Sequence, residues 1–274
     1  MRYNTLSIAG FDGSGGAGMQ ADLKTFAAFG CYGMTVLTAI PVQNTCGVKS
    51  CHAVSLTCIA EQLQAIFEDI KPHSIKIGML FSREIIDLVA VFLRQQASGI
   101  PIVLDPVMVA KSGDPLLQED AVNALKEQLM PLVDIITPNL PEAARLTGQG
   151  VNTIADMPDA AASIQQSGVG TVLIKGGHLQ QDDCLDYFLG KQGVSQWLHG
   201  SRIDSKNTHG TGCTLSAAIA ACLAKGFSPY EACVRAKAYL SGAIAASANQ
   251  SIGHGFGPVD HLYALHGEFF NETV

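Results

Sequence analysis

The amino-acid sequence predicts an α/β fold in which a central, mostly parallel β-sheet is covered by helices on both faces. Short apolar runs alternate with longer segments of helical spacing along most of the chain, and this alternation is typical of repeated βαβ units. Glycines and polar residues directly follow the apolar runs, as expected where parallel strands end at one edge of a sheet. With 274 residues and 47% hydrophobic content, the chain is long enough to bury such a sheet. We expect one domain over residues 1–274.

Each predicted element rests on its own pattern. The apolar runs that predict strands occupy residues 5–9, 34–40, 75–77, 102–104, 134–136 and 171–174. The segments that predict the intervening helices occupy residues 19–29, 59–70, 84–95, 121–132, 141–146 and 157–166. Residues 184–198 alternate around Gly190 and Gly193, which predicts an antiparallel hairpin at the sheet edge. The Ala-rich residues 214–248 predict two packed helices.

Charge and composition exclude several classes of function. The net charge is −7 without a cluster of Lys or Arg, so the basic surface of a nucleic-acid or anionic-membrane binder is missing. No apolar run approaches the ~20 residues that span a bilayer, and the N-terminal apolar stretch is too short for a signal peptide. The eight cysteines include no CxxC pair, which argues against a zinc site and for reduced thiols. We therefore expect a cytoplasmic protein that binds small molecules.

The most informative segment is residues 207–214, NTHGTGCT, which runs directly into an Ala-rich helix. Gly210 and Gly212 allow a tight turn and a close approach to a ligand. The helix start offers unpaired N–H groups and the positive end of its dipole, which we expect to lower the pKa of the Cys213 thiol. The segment indicates an anion-binding turn with a base or nucleophile at its rim; a glycine-rich turn beside a buried cysteine is the alternative. We expect His209 to stabilise the turn by hydrogen bonding.

Polar residues at other predicted strand ends indicate a phosphate and metal site. Asp105 ends a strand that looks buried on both faces, where an isolated carboxylate needs a cation or another partner. Asn139 and Glu142 lie at a predicted helix start, and oxygen ligands of this kind suit Mg²⁺. Lys175 ends a further strand and Lys111 lies on a Gly- and Pro-containing loop, so both are placed to reach nucleotide phosphate. The alternatives are an ordinary helix-start acid for Glu142 and solvated side chains for the lysines.

Residues 13–18, GSGGAG, match the GxGxxG pattern of dinucleotide-binding folds. That interpretation requires an acidic residue at the end of the next strand, where this sequence has Gln43 and Asn44. A Walker A motif is also absent from the sequence. We therefore expect the glycines to close around a flat substrate, with Asp22 and Gln43 as hydrogen-bonding groups. For Asp22, a solvated acid in the first turn of a helix is the alternative.

Nine segments spread over nearly the whole chain together resemble the hydroxymethylpyrimidine and phosphomethylpyrimidine kinases of thiamine biosynthesis, members of the ribokinase-like superfamily. The segments are IAGFDGSGGAGMQADLKTF, QNTCGV, KIGML, LDPVM, KSGDPLL, TPNLPEAA, IKGGH, NTHGTGCTLSAA and GPV. The resemblance implies a ribokinase-like three-layer sandwich. It also implies that ATP and Mg²⁺ serve to phosphorylate 4-amino-5-hydroxymethyl-2-methylpyrimidine and then its monophosphate, giving the diphosphate. The first segment departs from the family pattern at Gly13, where Pro or Ser is typical.

The resemblance further implies roles for individual residues. Gly210, Thr211 and Gly212 would cradle the transferred phosphoryl group through backbone N–H groups, and Cys213 would be the base. In sugar kinases of the superfamily an Asp has this role. The positions that match the pyrimidine pocket are Gly10, Asp22, Gln43, Met79 and Val107. The positions that match the phosphate edge are Asp105 and Glu142 for Mg²⁺, and Lys175, Asn139 and Lys111 for the nucleotide. We also expect a homodimer.

Three other functions remain open at this point. Pyridoxal and pyridoxine kinases share the GTGC turn, but the amide donor and acceptor of Gln43 match an aminopyrimidine edge better than a pyridine ring with a phenolic oxygen. A thiol hydrolase or acyltransferase would use Cys213 as nucleophile and a histidine as base, yet it would not require Asp105, Glu142 and Lys175 together. A non-catalytic pyrimidine-binding module would bind the ligand without transferring a phosphoryl group.

Overall fold

The computed structural model describes residues 2–109, 113, 116–118, 120–177, 179 and 183–265. Within these residues the strands are β1 (Asn4–Ala9), β2 (Tyr32–Leu37), β3 (Ala39–Asn44), β4 (Gly47–Ala53), β5 (Ser74–Ile77), β6 (Ile102–Leu104), β7 (Ile135–Ile136), β8 (Thr171–Ile174), β9 (Asp186–Leu189) and β10 (Ser195–Leu198). The α-helices are α1 (Gly18–Ala28), α2 (Leu56–Asp69), α3 (Arg83–Gln96), α4 (Ala121–Ala124), α5 (Leu140–Thr147), α6 (Met157–Gln165), α7 (Thr211–Ala224) and α8 (Pro229–Ser247).

Eight of the strands form one sheet in the order β10-β9-β8-β7-β6-β5-β1-β2. The neighbours from β8 to β2 run parallel, and β9 and β10 run antiparallel at the edge. The predicted parallel sheet and its edge hairpin are confirmed. The strand order reverses between β5 and β1, and ligands of open α/β sheets bind at the carboxyl end of such a switch point.

The sheet carries a hydrophobic core on each face. Successive residues of a strand point to opposite faces, and in β6 the side chains of Ile102 and Leu104 enter one core while Val103 enters the other. Buried side chains of α2, α3, α5 and α6 complete the first core. Those of α7 and α8, together with Phe26 of α1, complete the second. Helices therefore cover both faces, as predicted.

Helix α7 lies deep inside the second core. Every residue from Thr214 to Ala224 is buried, and the small side chains let the helix pack against β1, β5, β6, α1 and α8. A helix that is apolar on all sides is one that the fold encloses. Ser74 Oγ of β5 donates to the Ala220 carbonyl at 2.7 Å, so the close contact with the sheet leaves this carbonyl paired. The turn that precedes α7 is thus attached to the interior of the protein.

The prediction of one continuous strand over residues 34–40 is wrong from residue 38 onward. The buried Thr38 follows β2, and its Oγ1 donates to the Met79 carbonyl at 2.6 Å. β3 then pairs with β4 in a separate antiparallel hairpin, with a register shift next to Gln43. β4 is polar and largely exposed, so no apolar run marks it in the sequence. Gln43 therefore reaches the site from this hairpin, and the expectation that it follows a strand of the main sheet is corrected.

The described helices agree with the predicted ones except between residues 121 and 132. There α4 ends after four residues, and the chain continues as a π-helical turn over Leu125–Leu129 and a 3-10 turn over Met130–Leu132. Pro131, in this last turn, has no N–H to donate to a continuing helix. None of the helices in the described part of the chain is both long enough and apolar enough to cross a lipid bilayer.

Candidate active site

A cavity of about 770 Å³ opens where the parallel strands end. Most residues that the sequence singled out line it, although they come from distant parts of the chain. They are Gly10, Gln43, Met79, Asp105, Val107, Asn139, Glu142, Lys175, Gly210, Thr211, Gly212 and Cys213. Asp22 is fully buried and does not line the cavity. Lys111 lies outside the described residues.

The turn before α7 has the geometry of an anion-binding site. Gly210 has φ of 76°, and a Cβ there would lie 1.8 Å from the Gly16 carbonyl oxygen, so only glycine fits. Thr214 N donates to the Gly210 carbonyl at 2.9 Å and makes the first α-helical hydrogen bond. The amides of Gly212 and Cys213 precede this bond, and early amides of a helix are the ones available to an anion.

Asp12 ties this turn to the glycine loop that follows β1, a role that the sequence did not reveal. Its buried carboxylate accepts hydrogen bonds from Ser14 N (2.9 Å), Gly16 N (3.0 Å) and Ala17 N (2.7 Å), and lies 2.8 Å from His209 Nε2. Although burial opposes ionisation, the hydrogen bonds from His209 and Ser14 hold the pKa of Asp12 well below its usual range. The hydrogen bond expected of His209 is therefore present. An Asp directly before a run of glycine amides is the signal that could have identified this contact.

Asp105, Lys175 and Glu142 form a charged cluster at the ends of neighbouring strands. Lys175 Nζ lies 2.9 Å from Asp105 Oδ1 and 3.8 Å from Glu142 Oε2. Burial raises the pKa of Glu142 to about 7; Lys175 opposes this shift and Asp105 adds to it. Burial alone would lower the pKa of Lys175, but the two carboxylates raise it. The cluster holds its lysine charged and leaves Glu142 near its titration point at neutral pH.

Asn139 is the N-cap residue of α5, and its side chain hydrogen-bonds to the first turn of that helix. Its Oδ1 accepts from Glu142 N at 2.9 Å, and Glu142 Oε2 accepts from Asn139 N at 2.7 Å. This reciprocal capping box satisfies two amides of the helix start. It orients the Glu142 carboxylate toward Lys175, so Asn139 contributes to the cluster by positioning Glu142.

The turn before α7, residues 207–213, is called the phosphate turn below, and it lies beside the charged cluster. A Cβ at Gly212 would lie 3.2 Å from Asp105 Oδ2 and 3.4 Å from Lys175 Nζ. The turn thus approaches the Asp105 carboxylate and the Lys175 ammonium group, and Glu142 Oε2 lies 3.8 Å from the same ammonium group. Such a donor set fits Mg²⁺, which takes one or two carboxylates and completes its shell with water and phosphate oxygens. No group of three or more His, Cys, Asp or Glu in the described residues is arranged to hold a metal by itself.

Cys213 also lines the cavity. The pKa of its thiol is shifted in the opposite direction from the one expected. Burial raises its pKa to about 11; Lys76 opposes the shift, and Asp22 and Asp105 add to it. The expectation that the helix start lowers the pKa of Cys213 is wrong. Removal of the thiolate from water outweighs the Lys76 charge and the backbone amide of Gly18, which both favour the thiolate.

Asp22 lies behind the cavity wall, where it forms an ion pair with Lys76. Asp22 Oδ2 lies 2.8 Å from Lys76 Nζ and accepts from Ser7 Oγ at 2.5 Å, and both members of the ion pair are fully buried. Lys76 borders the cavity although its side chain has no exposed surface, whereas Asp22 does not border it. The expected direct contact of Asp22 with a substrate thus has no counterpart in this geometry. Lys76 was missed, although a lysine inside an otherwise apolar strand is an unusual feature of the sequence.

The remaining two ends of the cavity differ in chemistry. Gly10 leaves room for the Met79 side chain, since a Cβ at Gly10 would lie 3.1 Å from Met79 Sδ; both line the cavity together with Gln43 and Val107. The far end is lined by α8, which the sequence did not implicate. Its lining residues are Lys237, Leu240, Ser241 and Ile244.

Known proteins resemble this chain closely. A family model described as phosphomethylpyrimidine kinase matches residues 12–260. The hydroxymethylpyrimidine/phosphomethylpyrimidine kinase of Rhizobium meliloti (strain 1021) is 50% identical over 259 residues, which cover 94% of this chain and 96% of that protein. The protein of the same name from Escherichia coli (strain K12) is 46% identical over 265 residues, 96% of this chain and 98% of that protein.

A solved structure of a related kinase shows the same fold. The pyridoxal kinase from Staphylococcus aureus in complex with ADP superposes with a TM-score of 0.88 at 37% sequence identity, over 97% of this chain and 96% of that chain. Sequence identity at this level, over nearly the whole length of both chains, indicates a shared family as well as a shared fold. The chain belongs to the phosphomethylpyrimidine kinase family and is a kinase of the ribokinase-like fold.

Proposed function

We propose that this enzyme transfers the γ-phosphoryl group of ATP to the hydroxymethyl group of 4-amino-5-hydroxymethyl-2-methylpyrimidine and then phosphorylates the monophosphate to the diphosphate. The observation that carries the proposal is the position of Gly212, since a Cβ there would lie 3.2 Å from Asp105 Oδ2 and 3.4 Å from Lys175 Nζ. A phosphoryl group at that point meets backbone amides on one side and the charged cluster on the other. We place this reaction in thiamine biosynthesis in the cytoplasm, carried out by one domain that spans the chain.

The roles of the residues follow from the chemistry of phosphoryl transfer. The transferred group carries charge on three oxygens, and catalysis consists mainly of positioning and of neutralising that charge. Gly210, Thr211 and Gly212 are proposed to offer amides to these oxygens, with the Thr211 amide leaving its long hydrogen bond to the Thr208 carbonyl (3.5 Å), and Lys175 is proposed to offer an ammonium group. Asp105 and Glu142 would hold Mg²⁺, which neutralises phosphate charge when it is bound. Lys111 is proposed to reach phosphate from its loop, by its position in the sequence.

Cys213 is proposed to accept the proton of the hydroxymethyl group. At the raised pKa it is protonated in most molecules at neutral pH, and the small thiolate fraction is a strong base. The attacking oxygen becomes acidic as its bond to phosphorus forms, so the proton is needed late in the step. Gly10, Met79, Val107 and Gln43 are proposed to hold the pyrimidine ring, with Gln43 pairing with the aminopyrimidine edge.

A second candidate substrate is pyridoxal, because the pyridoxal kinase from Staphylococcus aureus shares the fold at 37% identity. Two named hydroxymethylpyrimidine/phosphomethylpyrimidine kinases share 50% and 46% identity, and the Gln43 amide lies on the cavity wall. Both facts favour the pyrimidine. Specificity constants for the two substrates, measured on one preparation, separate the candidates. A higher constant for pyridoxal would reverse the assignment.

The test of the proposed function is a product analysis. The purified enzyme is incubated with ATP, Mg²⁺ and the hydroxymethylpyrimidine, and the products are resolved by mass spectrometry. We expect the monophosphate first and the diphosphate later. Omission of ATP is the reagent control, and Cys213→Ala is the protein control. A preparation that hydrolyses ATP without phosphorylating the pyrimidine contradicts the proposal.

A homodimer remains part of the proposal and is supported by the β3–β4 hairpin. Ile40 and Val42 of β3 are 40% and 44% exposed, and alternate residues of one strand share a face. Ile252 and Phe256, also exposed, lie in the segment that contacts the hairpin turn through Phe256 N and the Thr45 carbonyl. Light scattering of the wild type and of Val42→Asp tests this assignment, since only the wild type should have twice the monomer mass.

A further inference from the structure

Two loops of the site that lie far apart in the sequence are joined by one buried contact. Asp12 belongs to the glycine loop after β1, and His209 belongs to the phosphate turn. The two are 197 positions apart, and His209 Nε2 lies 2.8 Å from Asp12 Oδ2. The Asp12 side chain has no exposed surface, and that of His209 is 13% exposed. The contact is therefore shielded from the water that would weaken it.

The Asp12 carboxylate is fixed before His209 reaches it. Oδ1 accepts from Ser14 N at 2.9 Å and from Ser14 Oγ at 2.7 Å. Oδ2 accepts from Gly16 N at 3.0 Å and from Ala17 N at 2.7 Å. Rotation of the carboxyl plane would break several of these bonds at once. Asp12 is thus a rigid acceptor that presents one oxygen to His209 in one direction.

The His209 side chain packs between the two loops. Its backbone N–H donates to the Gly257 carbonyl at 3.0 Å. A Cβ at Gly16 would lie 2.4 Å from His209 Cδ2, and a Cβ at Gly210 would lie 1.8 Å from the Gly16 carbonyl oxygen. The two loops interlock at van der Waals contact. A shift of the His209 ring therefore displaces Gly210, the residue that precedes the amides of the phosphate turn.

We propose that Asp12 is a positioning residue for phosphoryl transfer, which acts through His209 to hold the amides of residues 210–213 where negative charge develops on the transferred group. Asp12 does not line the cavity, so its effect on the reaction is indirect. Donors aimed at developing charge accelerate a reaction only when their geometry is preorganised, and a displacement of about 1 Å costs about 10²-fold in rate. The proposal deepens the proposed kinase function and rests on it.

The first test is Asp12→Asn, which keeps the size of the side chain but replaces one accepting oxygen with a donor. We expect kcat for the pyrimidine to fall by about 10²-fold with little change in KM. A second readout needs no pyrimidine. Calorimetric titration with ADP and with AMP-PCP should show that the variant loses the wild-type preference for AMP-PCP and keeps its affinity for ADP. Failure of the proposed substrate would leave this titration intact, so the two failures are distinguishable.

The matched control is Asp156→Asn. Asp156 also accepts backbone N–H bonds, from Asn152 and Thr153, but it lies outside the cavity lining. The Asp156→Asn substitution should leave both kcat and the nucleotide preference unchanged. If Asp12→Asn retains the wild-type kcat and the preference for AMP-PCP, the positioning role is overturned. A wild-type enzyme without that preference overturns it as well, because the turn would then not hold the γ-phosphoryl group.

A pair of His209 variants keeps the test decisive if Asp12→Asn does not fold. His209→Gln retains an N–H donor that can reach Asp12, whereas His209→Leu has none. We expect His209→Gln to recover most of the wild-type kcat and the AMP-PCP preference, and His209→Leu to lose both. Equal kcat values for the two variants would show that the ring serves packing alone and would contradict the proposal.

Discussion

Lys76 Nζ lies 2.8 Å from Asp22 Oδ2, and neither side chain has any exposed surface. Ser7 Oγ donates to the same oxygen, while Asp22 Oδ1 has no hydrogen-bond partner among the described residues. Burial alone would lower the pKa of Lys76, but Asp22, Cys213 and Asp105 raise it, so the lysine stays charged. The pair therefore places a permanent positive charge next to the proposed base at the cost of burying two ions.

Removal of one partner of this pair should destabilise the protein more than removal of both. Lys76→Met leaves the Asp22 carboxylate buried without a counterion, and we expect a loss of about 3–5 kcal/mol in the free energy of unfolding. The double variant Lys76→Met/Asp22→Leu should be more stable than the single one, because no buried charge remains. Urea denaturation followed by circular dichroism measures both. A double variant that is less stable than the single one would contradict this account of the pair.

Cys213→Ala should lower kcat by about 10²- to 10⁴-fold, the usual contribution of a general base. The pyrimidine should still bind, because the methyl side chain leaves the ring contacts and the backbone amides in place. A coupled ADP-release assay measures turnover, and isothermal titration measures binding. Unchanged turnover would exclude Cys213 as the base.

The pH dependence of turnover follows from the raised pKa of this thiol. Burial raises the pKa of Cys213 to about 11, so the thiolate fraction grows by up to about tenfold per pH unit throughout the range below that value. We expect kcat of the wild type to rise between pH 7 and about pH 9. Cys213→Ala should lose this rise. A wild-type profile that is flat over the same range argues against thiolate as the proton acceptor in the rate-limiting step.

Glu142→Gln should make the protein more stable at alkaline pH although it impairs the site. Burial raises the pKa of Glu142 from 4.5 to about 7. A carboxyl group with a raised folded pKa stabilises the fold below its unfolded pKa, and this stabilisation is lost as the pH rises through the folded pKa. Gln stays neutral and can still accept from Asn139 N, so the capping box survives.

The Glu142→Gln variant and the wild type should therefore melt at similar temperatures near pH 5, and the variant should melt higher near pH 8. Calorimetry at the two pH values checks this, and activity at limiting Mg²⁺ checks the loss of a metal ligand. A lower melting temperature of the variant near pH 8 would show that the ion pair with Lys175 outweighs the burial of Glu142.

Gly210→Ala should abolish the phosphate turn, and the chain offers a matched control. Gly210 and Gly226 have φ of 76° and 85°, but a Cβ would lie 1.8 Å from the Gly16 carbonyl oxygen at Gly210 and would meet nothing within 4 Å at Gly226. The left-handed conformation alone costs Ala about 1–2 kcal/mol. Gly226→Ala should show only that loss of stability and keep its activity. Equal activity of the two variants would contradict the fit of the turn to the first glycine loop.

The sequence predicted the parallel sheet because βαβ periodicity is a local signal. It also indicated Asp105, Glu142 and Lys175, because charged groups that follow buried strands have few other roles. It could not predict the state of the Cys213 thiol, since the helix dipole is local whereas burial depends on α1, β5 and the rest of the fold. Asp12 escaped notice for the same reason. Its partner lies 197 positions away, and no periodicity links the two.

The enclosure of α7 determines which parts of the site can move. Every residue from Thr214 to Ala224 is buried, so α7 cannot shift without opening the close-packed interior, whereas the phosphate turn before it depends on Asp12 and His209 for its position. The β3–β4 hairpin forms a separate sheet, and β4 is largely exposed. We expect the hairpin side of the cavity, which carries Gln43, to be the side that adjusts when substrate enters and product leaves. We expect α7 to be the rigid side of the site and the hairpin to be the mobile side. Amide hydrogen exchange should therefore be slow along α7 and fast along β4.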